Sequence, residues 1–298
     1  MIRAAVIGFG NVGKCVYDAL ISSRDMQFVC VVESPAVKPV PELADRWVTE
    51  LGGIRGFGGA DVAILALPSR MCPDAADELL DMGINTADAF DVHQEIWDVK
   101  RRLDATAKRR GVSGIISAGW DPGTDSIIRV LFEAMAPNGI TYTNFGPGMS
   151  MGHTVTVKAM PGVKNALSMT IPAGSGVHRR MVYVELNDGA DFNEISGRIK
   201  SDPSFVHDET HVIATDDIGA LMNMGHSVEL TRGGVSGKTH NQLFSYVMKI
   251  NNPALTGQVL VSAARASVRQ PPGCYTLAEI PAIDMLPGER EDLIRRLI

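Results

Sequence analysis

The sequence predicts an α/β protein of two domains: a doubly wound parallel sheet, then an α+β domain with a mostly antiparallel sheet. Three observations predict it. Short apolar runs alternate with runs of helical period through the first half, the pattern of a parallel sheet covered by helices. A glycine triplet, Gly8-Phe9-Gly10-Asn11-Val12-Gly13, stands between the first apolar run and the first helical one. Beyond residue 136 the alternation gives way to β-rich runs separated by turns. The first two observations mark a Rossmann-type dinucleotide-binding half.

Ile2 to Ile7 reads as a buried parallel strand, and Val12, Val16, Ala19 and Leu20 repeat at helical spacing behind it. In this setting Gly8 allows a tight turn, Gly10 admits a pyrophosphate to the backbone, and Gly13 lets the helix pack closely. The helix N-terminus adds a field that favours anions, so Gly8, Gly10, Asn11, Val12 and Gly13 are assigned to the cofactor. A second strand, Gln27 to Val32, ends at Glu33, about twenty residues past Gly13, where an acid accepts ribose hydroxyls and favours NAD. Ser34 and Lys38 offer contacts to a 2′-phosphate, so NAD and NADP both stay open.

Residues 34–59 read as a loop with a short strand around Trp47 and Val48. Asp61 to Leu67 is the next buried strand, and its turn, Leu67-Pro68-Ser69, should lie over the dinucleotide, with Arg70 solvated. Ala75 to Met82 forms a helix that Gly83 ends. Asn85 to Phe90 is a strand with Ala89 and Phe90 at its cofactor end and Asp91-Val92-His93 beyond. A helix over 94–110 carries Ile96, Val99, Leu103 and Ala107 on one face and its basic clusters on the wet side. Ser113 to Ser117, read as the last strand of this half, leads into Ala118-Gly119-Trp120-Asp121-Pro122-Gly123-Thr124-Asp125. Such a turn lies at the carboxyl edge of the sheet, where open α/β folds bind ligands. Cofactor contacts are accordingly expected at Ala118, Gly119 and Pro122.

After a helix over 126–136, Thr141 to Phe145 is β-rich and runs into the glycine-containing stretch 146–153. There the backbone of Met151-Gly152 either grips a carboxylate or forms part of a flexible hairpin loop; both readings stay open. Strands are expected at about 154–159, 165–171, 179–186, 211–215 and 226–232, a helix over 191–200, and a long β run over 239–250. Pro253 opens a helix to about Val268, and the tail 281–298 is expected to pack on the first domain. The domains are therefore 1–120, with 252–298 returning to it, and 121–251.

A net charge of −6 and the absence of a basic run argue against nucleic acid and anionic membranes as partners. The apolar opening is too short for a signal peptide, and no run approaches the ~18 apolar residues of a membrane span. Four scattered cysteines without a C-x-x-C pair fit a reducing compartment, so a cytoplasmic protein is expected. His93, His153, His207, His211 and His226 show no metal-ligand spacing with Cys or Glu, and no metal is expected.

At Ile115-Ile116-Ser117-Ala118-Gly119-Trp120-Asp121-Pro122-Gly123-Thr124-Asp125-Ser126, and again at Thr143-Asn144-Phe145-Gly146-Pro147-Gly148-Met149-Ser150-Met151-Gly152-His153, the chain resembles the meso-diaminopimelate dehydrogenase family. Asn251 to Thr256 and Pro272 to Thr276 extend the likeness nearly to the C-terminus. The resemblance implies oxidative deamination at the D-centre of meso-2,6-diaminopimelate, giving L-2-amino-6-oxopimelate, which cyclises to tetrahydrodipicolinate, with ammonium and NADPH. In reverse it implies a reductive amination feeding lysine and cell-wall precursors. It also implies a homodimer. Carried over residue by residue, it puts Asp91 and Asp121 beside the reactive amine and Trp120 against the D-centre. Phe145, Met151 and Gly152 line the same pocket. Thr170, Arg180 and His226 hold the distal carboxylate, with Asn252 near the distal amine. Glu33-Ser34 departs from the arginines with which NADP-using relatives pair the 2′-phosphate, so NAD or dual use stays open beside NADP.

Hydride leaves the substrate α-carbon for nicotinamide, and the protein must position and polarise. The substrate ammonium must first lose a proton, a task that carboxylates at Asp91 and Asp121 can serve through water. Two other readings are carried: a broad-specificity D-amino-acid dehydrogenase on the same scaffold, and a non-catalytic dinucleotide sensor.

Overall fold

The computed structural model describes residues 1–221 and 225–298, apart from the side chain of Met151. The chain divides into two compact units: Met1–Val130 with Pro253–Ile298, and Leu131–Asn252.

The first unit is built on seven strands: β1 (Ile2–Ile7), β2 (Met26–Val32), β3 (Trp47–Val48), β4 (Val62–Leu65), β5 (Asn85–Asp88), β6 (Ser113–Ile116) and β14 (Gly273–Thr276). Their order is β3-β2-β1-β4-β5-β6-β14, with every pairing parallel. The order reverses between β1 and β4, and the crevice outside their carboxyl ends is where such sheets bind ligands. Strand period explains the two-sided core. In β1, Ala4 and Val6 face a cluster with Val16 and Leu20 of α1 (Asn11–Ile21) and Leu260 and Ala263 of α7 (Asn252–Ser267). Ala5 and Ile7 face the opposite cluster, with Leu79 and Leu80 of α2 (Cys72–Asp81) and Leu103 and Ala107 of α3 (Ile96–Arg110). Gly257 lets α7 lie close on α1, since a Cβ there would sit 2.8 Å from the Cys15 backbone carbon. Buried Arg265 of α7 binds Asp25 in two-pronged fashion, with Nη2 donating to Oδ1 at 2.9 Å. One expectation is corrected here. β6 is not the last strand of this sheet, because β14 pairs outside it, bringing Cys274 opposite Gly114. The unit ends in α8 (Arg290–Leu297).

The boundary between units falls inside α4 (Thr124–Met135). The second unit holds β7 (Asn138–Phe145), β8 (Gly148–Met149), α5 (Met151–Lys158), β9 (Val163–Gly174), β10 (Val177–Leu186), α6 (Phe192–Ser201), β11 (Glu209–Ala214), β12 (His226–Ser236) and β13 (Thr239–Ile250). These strands make two sheets, ordered β11-β10-β9-β8 and β13-β12-β7. All neighbours are antiparallel except β10 and β11.

The strand expected at 154–159 is instead helix α5. Its β-branched run suggested a strand, but tertiary packing overrode that propensity. Val157 is buried with Ile195, Ile199 and Phe205, and the Thr154 hydroxyl accepts from the Ser168 amide of β9 at 3.0 Å. The stretch 146–153 is correspondingly not an open loop, since β8 and the first turn of α5 occupy part of it.

Candidate active site

Three glycines shape the start of the first unit. Gly8 has φ of +89°, and a Cβ there would lie 2.7 Å from the Ala66 carbonyl. At Gly13 a Cβ would meet the Gly8 carbonyl at 2.1 Å, so the helix can approach the turn only as glycine. Nothing stands within 4 Å of a Cβ at Gly10, which leaves open space at the N-terminus of α1. That opening fits a dinucleotide pyrophosphate, with Gly10, Asn11, Val12 and Gly13 around it. Glu33 is engaged by the protein itself: its Oε2 accepts from the Phe9 amide at 2.7 Å and its Oε1 from the Ser34 amide at 2.6 Å. The acid thus ties the end of β2 to the glycine turn.

Farther along the same sheet edge, the loops after β4, β5 and β6 are joined by side chains. The Ser69 hydroxyl donates to Asp91 Oδ1 at 2.5 Å. Asp88, which the sequence did not single out, accepts from the Phe90 amide at 2.9 Å and more weakly from the Ser117 amide at 3.4 Å. Its own carbonyl accepts from Ala118 at 2.7 Å. Asp88 therefore clamps the loop carrying Asp91 to the loop carrying Trp120 and Asp121. Burial pushes its carboxyl up to about 6, against the pull of the two amides. Phe90 and Ala118 have core side chains, which leaves their main chain as the part available to a cofactor.

The turn from Gly119 to Asp125 is pinched shut by its own backbone. Gly119 donates to the Pro122 carbonyl at 3.2 Å, and Thr124 donates back to the Gly119 carbonyl at 3.2 Å. A Cβ on Gly123, at φ of +146°, would lie 1.9 Å from that carbonyl. Asp125 donates its amide to the Trp120 carbonyl at 2.9 Å, which begins α4. Asp121 receives Arg129 Nη1 at 2.7 Å, and its side chain is 7% exposed. Asp125 is fully buried, and burial, with the charge of Asp121 second, pushes its carboxyl up to about 7.

In the second unit the register gathers a different set. Thr170 of β9 stands opposite Arg180 of β10, and Arg180 Nη1 donates to the Thr170 hydroxyl. Its Nε donates to Asp208 Oδ2 at 2.6 Å, a partner the sequence did not suggest. Gly148 pairs with Thr170, and a Cβ at Gly148 would touch His226 Cα at 3.1 Å. Phe145 of β7 stands opposite Val228, two residues past His226, and Ile250, opposite His226, is followed two residues on by Asn252. Phe145, Thr170, Arg180 and His226 are thus brought to one region of the unit. Gly152 lies in the first turn of α5 with open space where a Cβ would point. Met151 begins that helix, and its side chain lies outside the described residues. The Phe145 amide donates to His178 Nε2 at 2.9 Å, which requires that nitrogen to be unprotonated. Burial first, then the Arg180 charge, holds His178 below the usual histidine range. Burial lowers His226 in the same direction.

Comparison with known proteins gives one consistent answer. Residues 119–179 match the model of the diaminopimelic acid dehydrogenase C-terminal domain. A meso-diaminopimelate D-dehydrogenase of Bacteroides fragilis is 57% identical over 298 residues, covering 100% of this chain and 99% of the relative. A C. glutamicum DAP dehydrogenase solved in complex with DAP superposes with a TM-score of 0.86 at 27% identity, covering 100% of this chain and 99% of the other. An engineered D-amino acid dehydrogenase bound to NADP+ superposes at 0.80 with 26% identity, again covering 100% and 99%.

Proposed function

The chain belongs to the meso-diaminopimelate dehydrogenase family, and on that premise we propose how its residues divide the work of the reaction. The reaction is reversible oxidative deamination at the D-centre of meso-2,6-diaminopimelate, giving L-2-amino-6-oxopimelate and ammonium. The observation that carries the reading is the 57% identity to a meso-diaminopimelate D-dehydrogenase over the whole chain, and the side chains of each unit supply chemistry that suits it. In the first unit, the loops after β5 and β6 carry the carboxylates Asp91, held by Ser69, and Asp121, held by Arg129. The other unit sets a guanidinium, a hydroxyl and an imidazole together, Arg180, Thr170 and His226.

When bound, the nicotinamide accepts the hydride. Gly8, Gly10 and Gly13 receive its pyrophosphate, and the loops clamped by Asp88 present Trp120 and Asp121. Asp91, oriented by Ser69, and Asp121, oriented by Arg129, hold the substrate ammonium and take up its proton, freeing the lone pair to form C=N. Water then adds to the iminium carbon and ammonia departs. Arg180 forks onto the distal carboxylate with Thr170 and His226 beside it, and Asn252 serves the distal amine.

NADP is the cofactor toward which the relatives point. Glu33 opposes it, since its carboxylate would repel a 2′-phosphate at the end of β2. A homodimer is supported by the apolar face of the three-stranded sheet, where Ile140, Tyr142, Leu243 and Val247 are exposed. The four free cysteines suit a reducing cytoplasm, and no described helix is long and apolar enough to cross a membrane. The test is the nicotinamide absorbance with NADP and NAD, each crossed with meso-diaminopimelate, D-alanine and a branched D-amino acid. Strong preference for meso-diaminopimelate is expected. Equal rates on plain D-amino acids would replace this reading with a broad D-amino-acid dehydrogenase, and cofactor binding without turnover would replace it with a sensor.

A further inference from the structure

Asp125 is a buried acid for which the reaction described above has no use. It is 0% exposed, and among the described residues neither carboxyl oxygen has a hydrogen-bond partner. It sits in the first turn of α4, where helix amides ordinarily serve an anion. Those amides are committed elsewhere: Asp125 donates to Trp120, and Ser126 and Ile127 donate to Gly123. The charged groups that act on it are Asp121, ahead of the helix, and Arg129, one turn along it. Arg129 stands four residues from Asp125, a spacing that suits an ion pair on a helix, yet it binds Asp121. A buried carboxylate without a cation or amide is costly, and the group avoids the cost by keeping its proton. The charge of Asp121 adds, after burial, to what keeps the proton on Asp125.

We propose that Asp121 and Asp125 form a single carboxyl pair that carries one proton in the free enzyme, Asp125 holding the proton and Asp121 the charge. Above neutrality the pair loses that proton and becomes the acceptor for the substrate amine. The ammonium gives its proton to Asp121, which passes it to Asp125, so that Asp121 is again the anion beside Arg129. One N–H bond is broken and one O–H bond formed, with no change in oxidation state. In the reverse direction Asp125 is the store from which the proton returns. Asp125 is thus a positioning residue, acting on the substrate through Asp121. The burial of Asp125, which raises its proton affinity to about 7, places this exchange in the working range.

The proposal rests on the deamination reading only for its kinetic arm, and a second arm is independent of turnover. Carboxyl NMR of the protein labelled with ¹³C-aspartate should show two raised aspartates, Asp88 at about 6 and Asp125 at about 7, and Asp125→Asn should abolish the higher one while leaving the Asp88 titration in place. The pair also has a stability signature. A carboxyl whose folded pKa is raised binds more protons folded than unfolded, so its stabilising contribution is full below about pH 4 and is lost as pH rises to about 7. In Asp125→Asn that decline in Tm should flatten. In kinetics, the acid limb of kcat/KM for meso-diaminopimelate deamination should move by about one pH unit or more in Asp125→Asn, with kcat down roughly tenfold or more, and Asp125→Glu should restore the limb. If no aspartate other than Asp88 titrates above pH 5 in the parent protein, or if Asp125→Asn lowers kcat equally at every pH without moving the limb, the pair does not exist. Loss of turnover on diaminopimelate with the neutral titration intact would instead strike the deamination reading.

Discussion

The two units differ in how charge is set around the candidate site residues. At the sheet edge of the first, two buried acids lack an ion-pair partner among the described residues: Asp88 accepts from two amides, and Asp125 has no hydrogen-bond partner. Both are pushed up toward neutrality. In the second, Arg180 is met by Thr170 and Asp208, while His178 and His226 are shifted below the usual histidine range, by burial first. A group poised near neutral pH can exchange a proton during turnover, whereas a guanidinium is a fixed charge. The contrast is in keeping with the proposed division, chemistry at the sheet edge of the first unit and recognition in the second.

The largest break in that contrast should come from Asp121→Asn, which removes the carboxylate proposed to receive the amine proton. Its kcat should fall by about 10²–10⁴-fold in initial-rate assays. Turnover within about twofold of the parent would remove Asp121 from the proton path. Arg180→Met should be milder and should act on preference. Losing a charged hydrogen bond of about 1.5–3 kcal/mol corresponds to roughly 10- to 150-fold in kcat/KM for meso-diaminopimelate. Rates on D-alanine, which has no distal carboxylate, should change little. An unchanged ratio between the two substrates would deny Arg180 its role as a clamp. The smallest effect concerns acid sensitivity. His178 has a folded pKa below its unfolded value, so the unfolded chain binds more protons and stability is lost as pH falls through the window beneath about 6.5. His178→Gln keeps an acceptor for the Phe145 amide without the titration, and its Tm should fall less than the parent's between pH 6.5 and 5. Parallel Tm curves would show that the Phe145–His178 bond does not report on protonation.

What was legible in the sequence was what is local. The glycine triplet could be read because each glycine meets a nearby carbonyl or an opening, and the strand alternation of β1 exposes both faces of its sheet in six residues. Asp91 and Asp121 were legible as acids at strand ends. Asp88 lies only a few residues from Asp91, but its role depends on an amide 29 positions away. Asp125 was visible in the helix start, yet nothing in the spelling told that its carboxyl is buried. Asp208 reaches Arg180 across 28 positions, on a turn with no signature of its own. The misread α5 shows the converse: Thr154-Val155-Thr156-Val157 spells a strand locally, and only contacts with α6 and β9 make it a helix.

The outermost strand β14 also sets an order of events during synthesis. β6 emerges early, but the strand that covers its free edge comes only after the whole second unit has been translated. At about 5–20 residues per second, the ribosome takes on the order of ten to thirty seconds to travel from Ile116 to Gly273. Throughout that interval the nascent sheet offers an unpaired edge on the side where the chemistry will later be assembled, and α7 has yet to cover α1. The first unit is thus begun first and finished last, and a nascent chain stalled after Asn252 would present an open template for other strands.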